Sequence, residues 1–203
     1  GLLRTGQGRA APRSTVLKGE IRRRGREQVL LVVTKANSVS TVHRATYLDY
    51  IGIKTFNARG EVTGERRFIG LFTSSTYSTS PREIPLLRHK VQRVIDQIGV
   101  SPVSHDGKAL MHVLEAHPRD ELFQSSVSEL LRTCRGIVNL YERRRVRLFA
   151  RRDPYQRFFS CLLYVPRDRY NTQVRGRIER ILREEFAGTA LESQVQISES
   201  ALA

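Results

Sequence analysis

The sequence predicts an α+β fold with antiparallel sheets and packed helices. Short apolar or alternating runs, typical of strands, occur in two separate parts of the chain, within residues 29–72 and 145–165. Segments whose apolar residues repeat at helical spacing follow each part. The chain has 203 residues, of which 39% are hydrophobic and 27% charged, and this is enough to bury a real core. The order of strands, helices, strands, helix and strand therefore indicates two α+β units.

The N-terminal part begins with a basic segment and continues with strands. Residues 1–27 contain scattered Gly and Arg, which predicts a flexible basic linker. Val29–Ala36 is a Val-rich run typical of a buried strand. Residues 50–72 hold two apolar-rich runs around a short connector, Asn57–Glu61. This arrangement predicts a long β-hairpin in which Gly60 has a positive φ.

The two faces of the predicted hairpin differ in character. With Phe56 opposite Val62, Phe68 falls on a mostly apolar face. We expect this face to pack under the helices that begin near Pro85. The other face alternates aliphatic and charged residues, so we expect it to contact another domain or subunit, the alternative being a wet face with a few aliphatic residues. Its candidate interface residues are Ile51, Ile53, Arg67, Ile69 and Leu71.

Three helices are predicted in the middle of the chain. The first begins near Pro85 and ends at Gly99, because Pro is accepted in a first turn and Gly commonly ends a helix. The second is shorter and lies within residues 104–118. The third opens with an S-x-x-E capping box at residues 126–129 and runs to about Tyr141.

The last third of the chain predicts a second unit, with the unit boundary near residue 143. Two strands, Arg145–Arg151 and Arg157–Val165, precede a helix at about residues 172–187. Gly188 follows this helix, and we expect it to have a positive φ. "LESQVQIS", at residues 191–198, alternates like a final strand.

No residue is assigned a catalytic, cofactor-binding or metal-binding role. Gly6–Ala11 has the form G-x-G-x-x-A, but it lacks the flanking strand and helix between which that motif binds pyrophosphate. Ser104, His105 and Asp106 are neighbours in sequence, whereas a catalytic triad needs side chains that converge, so helix capping by Ser104 or Asp106 is expected. The five histidines show no metal-ligand spacing.

Cysteine usage and hydropathy predict a cytoplasmic location. Cys134 and Cys161 show no metal-type spacing and are expected to be reduced thiols. No apolar run approaches the roughly 18 residues of a membrane span, so no membrane partner is expected. The N-terminus shows no secretion signal.

The formal net charge of +15 is concentrated in two patches, residues 1–26 and 132–152, each with eight basic residues and one acidic residue. Such patches raise nucleic acid as a partner, because Lys and Arg neutralise phosphates. However, the second patch holds only Tyr141 and Phe149 as stacking platforms, and no RNA-recognition, KH or helix-turn-helix signature is present. Nucleic acid is therefore not favoured as a partner. A solvated face or a surface for an acidic partner domain is the alternative.

Several segments, taken together, are similar to one enzyme family. They are "YLDYIGIKTFNARGEVTGERRFIGLFTSSTY", "PLLRHKVQRVI", "HPRDELFQ" and "FFSCLLYVPRDRYNTQVRGRIERIL", within about Gln28–Phe186. In this order they resemble the N-terminal region of the large bacterial NAD-specific glutamate dehydrogenases. No position matches the catalytic motif of that family.

The resemblance implies a fold and a function. The parent enzymes oxidise L-glutamate to 2-oxoglutarate and ammonia with NAD, in a catalytic domain outside this region, so no cofactor is expected in this fragment. Their N-terminal region is built from PAS-like and ACT-like modules and is viewed as regulatory or assembly-related. On this basis residues 28–143 are expected to be PAS-like. Residues 144–203 are expected to be an ACT-like (ferredoxin-like) module, incomplete because its order of strands and helices departs from that of the family.

The expected function is that of a non-catalytic regulatory or assembly fragment. Its expected partners are other domains and subunits of the parent enzyme, with an amino acid as a candidate effector. Two alternatives are kept, namely a freestanding nucleic-acid-binding protein that uses the Arg-rich patches, and a freestanding small-ligand sensor.

Overall fold

Two antiparallel sheets, one of three strands and one of two, are the framework of the structure, a computed structural model that describes residues 19–42, 45–141 and 145–197. The strands are β1 (Leu31–Val39), β2 (Tyr47–Phe56), β3 (Val62–Gly70), β4 (Arg147–Arg152) and β5 (Phe159–Tyr164). The helices are α1 (Gly19–Arg26), α2 (Ser74–Ser78), α3 (Leu87–Ile98), α4 (His105–Ala116), α5 (Arg119–Gln124), α6 (Val127–Tyr141) and α7 (Thr172–Glu185).

The two sheets belong to different compact units, residues 1–78 and 79–203. The first unit contains the sheet β1–β2–β3, and the second contains α3 to α7 and the sheet β4–β5. The α+β class with antiparallel sheets and packed helices is therefore confirmed. The unit boundary expected near residue 143 lies inside the second unit, because β4 packs against the helices that precede it.

The hairpin connector has the predicted geometry. Phe56 pairs with Val62, and Gly60 has a φ of 78°. The Asn57 side-chain oxygen accepts hydrogen bonds from the backbone N–H groups of Arg59 and Glu61, both at 2.9 Å. Asn is favoured in turns because its side chain can hydrogen-bond to the backbone in this way.

The register of the hairpin differs from the prediction. Directly after the Phe56–Val62 pair, a bulge shifts the register by one residue. Phe68 then pairs with Ile51 rather than with Tyr50, and its side chain is 55% exposed. The prediction that Phe68 lies opposite Tyr50 is therefore wrong, and Phe68 is not buried within the first unit. The hairpin and the helices after Pro85 belong to different units, so packing between them stays a prediction.

A helix occupies the end of the segment that was expected to be a flexible linker, residues 1–27. At the C-terminal end of α1, the Lys54 ammonium donates hydrogen bonds to the backbone carbonyls of Arg24 and Glu27, both at 2.8 Å. The Lys54 side chain is buried there, and a cation is favoured at the carbonyl end of a helix. α1 thus replaces the expected linker over residues 19–26, whereas residues 1–18 lie outside the described residues.

The hydrophobic core lies among the helices of the second unit. The N-terminal ends of α4 and α6 are capped as predicted. Ser104 Oγ accepts a hydrogen bond from the Gly107 N–H at 3.1 Å. At α6 the Ser126 N–H donates to the Glu129 carboxylate at 2.8 Å, and the Glu129 N–H donates to Ser126 Oγ at 3.2 Å, which is a capping box. A fully buried Leu or Val contributes about 1.5–3 kcal/mol relative to its exposed state. The buried apolar cluster consists of Leu87, Val91, Val94, Leu110, Val113, Leu114, Leu122, Leu130, Cys134 and Ile137.

The sheet β4–β5 packs on this core through one face. The Phe149 ring lies against Gly136 of α6, where a Cβ would come within 2.5 Å of the ring. Phe149 also contacts Tyr164 edge-to-face, with ring centroids 6.0 Å apart. On the opposite face Phe159 contacts Phe186, with centroids 4.5 Å apart. The sheet β4–β5 therefore contacts α6 on one face and Phe186, which directly follows α7, on the other.

Two predictions for the end of the chain are wrong. Ala187, with a φ of 50°, takes the left-handed conformation that was expected of Gly188. Residues 191–197 form no strand with any described residue. Instead, Ser193 Oγ donates to Glu179 at 2.6 Å and accepts from Arg175 at 2.8 Å, which places this segment beside α7. Alternation makes a strand only where a neighbouring strand supplies hydrogen bonds.

Candidate functional site

The hairpin residues predicted as an interface fall on two faces of the sheet. Ile51 and Ile53 of β2 lie on one face, while Arg67 and Ile69 of β3 lie on the other, because the bulge shifts β3 by one residue. Leu71 follows the end of β3 and is half-buried. The expectation of a single shared face is therefore wrong. We refer to these five residues as the hairpin surface.

The hairpin surface belongs to a unit with little apolar burial. Phe68 and Ile69 of the edge strand β3 are 55% and 51% exposed, and they point to opposite faces. The buried hydrophobic residues of the described chain all lie between Leu87 and Val165, outside the first unit. The edge strand thus exposes one large apolar side chain on each face of the sheet, and exposed edge strands are prone to pair with another chain.

Charged side chains of the hairpin form hydrogen bonds and ion pairs with neighbouring residues of the same unit. Asp49 accepts from the Lys35 ammonium at 2.6 Å and from the Phe72 N–H at 3.0 Å. Arg67 Nε donates to Glu65 at 3.2 Å, and Glu65 also accepts from the Tyr50 hydroxyl. These contacts orient the polar side chains between the exposed aliphatic ones.

A second candidate, which we call the α5 cluster, consists of Lys90, Arg119, Glu121 and Arg151. Arg151 donates to both carboxylate oxygens of Glu121, from Nε at 2.9 Å and from Nη2 at 2.8 Å. The two side chains are only 7% and 10% exposed, and Nη2 of Arg151 also reaches Gln124 Oε1 at 3.1 Å. This bidentate pair joins α5 to β4.

The other two cations of the α5 cluster bind backbone carbonyls around both ends of α5. The Lys90 ammonium donates, at 2.7, 2.9 and 2.7 Å, to the carbonyls of Leu122, Phe123 and Ser125. The Arg119 guanidinium donates, at 3.2, 2.9 and 3.1 Å, to the carbonyls of Thr79, Glu115 and His117. Carbonyls near helix ends are thereby satisfied by two half-buried cations.

Burial and charge shift the pKa values of this cluster. Burial alone would raise the pKa of Glu121, but the hydrogen bonds and charge of Arg151 outweigh it and hold that pKa below its ordinary value. Burial, assisted by the charge of Arg151, lowers the pKa of Lys90 to about 8. Burial also lowers the pKa of His117 to about 4, against the opposing charge of Glu121. At neutral pH the Glu121–Arg151 pair is therefore ionised and His117 is neutral.

Sequence reasoning missed the α5 cluster, although one signal was present. In β4, Arg151 lies two residues after Phe149, so it shares the inward face of the strand. A charged residue at an inward position needs an opposite charge nearby. The partner, Glu121, lies 30 residues earlier in the chain, and no local pattern identifies it.

Some arginines of the basic patch, residues 132–152, make contacts within the chain and are therefore less available to bind phosphate than the composition of the patch suggests. Arg151 is buried in the ion pair, and Arg135 Nη2 donates to the Gln97 carbonyl at 3.1 Å. These two positions are thus occupied in holding helices and strands together.

Cys134 and Cys161 are free thiols, and burial raises the pKa of Cys134 to about 12. Within residues 19–42, 45–141 and 145–197, no group of three or more His, Cys, Asp or Glu side chains is arranged to hold a metal ion. None of the helices in the described part of the chain is both long and apolar enough to span a membrane.

Two family models match the second unit. Residues 84–143 match the model described as glutamate dehydrogenase, helical motif 1, and residues 147–203 match the model described as glutamate dehydrogenase, ACT2 domain. The helical match covers α3 to α6, and the ACT2 match covers β4, β5 and α7. The expectation of an ACT-like module is thereby confirmed for residues 147–203, whereas its start at residue 144 and its incompleteness stay predictions. The PAS-like expectation for residues 28–143 stays a prediction.

Curated relatives give the same result. The NAD-specific glutamate dehydrogenase of Halomonas elongata is 47% identical over 174 residues, which is 86% of this chain and 11% of that protein. The enzyme of the same description from Pseudomonas aeruginosa is 47% identical over 178 residues, 88% of this chain and 11% of that protein. The one from Mycobacterium tuberculosis is 38% identical over 188 residues, 91% of this chain. The chain thus spans about a ninth of the length of these relatives.

The helical motif and the ACT2 strands together define a module of a glutamate dehydrogenase. The chain belongs to the family of the large NAD-specific glutamate dehydrogenases, as a segment of their N-terminal region.

Proposed function

We propose that this chain is a non-catalytic regulatory and assembly segment of an NAD-specific glutamate dehydrogenase. In this proposal the parent enzyme oxidises L-glutamate to 2-oxoglutarate and ammonia, and it binds NAD outside the present residues. The observation that carries the proposal is the α5 cluster, whose ionisable side chains bind one another and backbone carbonyls. Such an arrangement holds the helical motif and the ACT2 strands in one body.

The proposed partners are other domains or subunits of the parent enzyme, and the hairpin surface is the proposed contact. Its support is physical, since β3 exposes Phe68 and Ile69 on its two faces. Within residues 19–42, 45–141 and 145–197, no strand pairs with the outer side of β3. An amino acid is the proposed effector of the ACT2 module, by analogy with ACT-like modules in general.

An assembly role for the hairpin surface is testable in the full-length enzyme. Ile69→Asp places a charge among exposed aliphatic residues, so we expect it to weaken subunit association, seen as a smaller sedimentation coefficient, while the isolated chain stays folded. Ala58→Asp in the exposed connector adds the same charge away from the strands and serves as the control. An Ile69→Asp enzyme with the oligomeric state and the activity of the wild type would contradict the proposed interface.

A further inference from the structure

We propose that the Glu121–Arg151 ion pair fixes the position of the sheet β4–β5 relative to the helical motif, and we call the pair the lock. In this proposal α5 is the joint, that is, the element that transmits a movement of the sheet to the other helices. The lock is inferred from the contacts below. Its use in regulation rests on the function proposed above.

The sheet β4–β5 needs a lock because its other contacts with the helices do not fix its position. A two-stranded sheet has little stability of its own and must pack on a neighbour. Its inward contacts are the Phe149 ring on Gly136 and the partly buried Tyr164. Apolar contact is not directional, and a flat ring on a glycine can slide. The bidentate Arg–carboxylate contact fixes both distance and angle.

The Glu121–Arg151 ion pair fixes the position of the sheet β4–β5 and contributes little to the free energy of unfolding. Removing two charges from water offsets most of their attraction, so apolar residues of similar volume often stabilise a protein equally well. In this cluster the Ser125 hydroxyl, Gln124 and the Ser160 hydroxyl also bond to the pair. Ser160 is the cross-strand partner of Arg151, so both strands of the sheet contact the same carboxylate network.

The contacts of α5 continue from the sheet to the helices. Lys90 of α3 binds three carbonyls at the C-terminal end of α5, and Glu121 projects from the same short helix. A displacement of Arg151 would therefore move α5, and α5 would move the Lys90 side of α3. The six-residue helix α5 places one side chain, Leu122, in the buried apolar cluster, whereas α3 and α6 each place three side chains there. Because charges hold α5 at both ends and the core holds it at a single residue, α5 can move as one piece relative to α3 and α6.

Hydrogen exchange on the full 203-residue chain tests the lock. The double variant Glu121→Leu/Arg151→Met replaces the pair by apolar side chains of similar size. We expect amides of β4 and β5 to exchange about tenfold faster or more, while those of α3 and α6 keep their protection. Arg152→Met, at the exposed neighbouring arginine of the same strand, is the control and should change neither.

Two results would overturn the proposal. Unchanged protection of β4 and β5 would show that apolar packing alone fixes the sheet. An equal loss of protection in sheet and helices would show that the pair contributes only to global stability. If the double variant does not fold, Arg151→Lys decides in the same way, because it keeps the charge but removes the bidentate geometry.

Regulation is tested separately in the full-length enzyme. Glutamate oxidation is measured with and without each of the common L-amino acids, in the wild type and in the double variant. We expect the double variant to keep the basal rate and to lose whichever response the wild type shows. A wild type that responds to none of them would contradict the proposed effector, and a double variant that keeps the wild-type response would contradict α5 as the joint. The hydrogen-exchange result decides the lock in both cases.

Discussion

At the scale of single residues, His117 shows most clearly how burial changes the pKa of a side chain. Its side chain is only 3% exposed, and its Nδ1 atom has no hydrogen-bond partner within the described part of the chain. The neighbouring charges are Glu121, which favours protonation, and Arg119, which opposes it. Desolvation outweighs both charges, so the imidazole stays neutral well below its ordinary pKa.

This burial predicts an acid-sensitive fold. The unfolded chain binds a proton near pH 6.5 and the folded chain only near pH 4, so stability is complete above pH 6.5 and is lost as the pH falls to 4. The loss from this group is about 3 kcal/mol, and His117→Gln should remove that part of the pH dependence. Urea unfolding at several pH values measures it, with the exposed His105→Gln as the control. Equal pH slopes in the wild type and the His117 variant would refute the assignment.

At the scale of elements, local patterns predicted some helix ends and missed others. The end of α3 lies at Gly99 as predicted, with a φ of 73°. The caps at Ser104 and Ser126 were read correctly because the bonding groups lie within three residues of each other. The left-handed residue that follows α7 was placed one position too late, because glycine was assumed to take the conformation that Ala187 takes. The hairpin bulge was missed for a related reason, since it adds one residue without a distinctive side chain.

The end of α7 gives a paired prediction. Ala187→Gly should raise the free energy of unfolding by about 0.5–1 kcal/mol, because glycine adopts a φ of 50° without steric cost. Gly188→Ala is the matched variant, and it should be close to neutral, since a Cβ there would make only ordinary contacts at 3.7 Å or more. Chemical unfolding compares the two. A destabilising Ala187→Gly would show that this turn is not the feature that ends the helix.

At the scale of the whole molecule, the sequence predicted the class of fold but not the grouping of its elements. Strand and helix periodicity is local, and it identified both sheets and the principal helices. The unit boundary depends on contacts between distant residues, such as Glu121 with Arg151 and Gly136 with Phe149, which periodicity does not show. The α5 cluster was missed for the same reason. The hairpin surface was proposed from its unusual composition, and its role as an interface stays a prediction.

The packing of the sheet on α6 can be tested with two helical glycines. Gly136→Ala should destabilise the second unit by about 1–3 kcal/mol, because its methyl group would lie 2.5 Å from the Phe149 ring. Gly176→Ala in α7 is the control, since nothing lies within 4 Å of the added carbon, and helix propensity favours it by up to about 1 kcal/mol. Thermal unfolding of both variants should shift in opposite directions. A stabilising Gly136→Ala would mean that the ring does not rest on this helix.

The ammonium contacts at Lys54 and Lys90 have a practical consequence for labelling chemistry. The chain has 35 basic residues, but its lysines are only Lys18, Lys35, Lys54, Lys90 and Lys108. The amines of three of them are engaged, with a carboxylate at Lys35 and with backbone carbonyls at the other two. Amine-reactive dyes and cross-linkers attack the neutral, accessible amine, so in the described residues they should react first at the exposed Lys108. Although the chain is strongly basic, most of its positive charge is carried by guanidinium groups, so it has very few amines that can react with lysine-specific reagents.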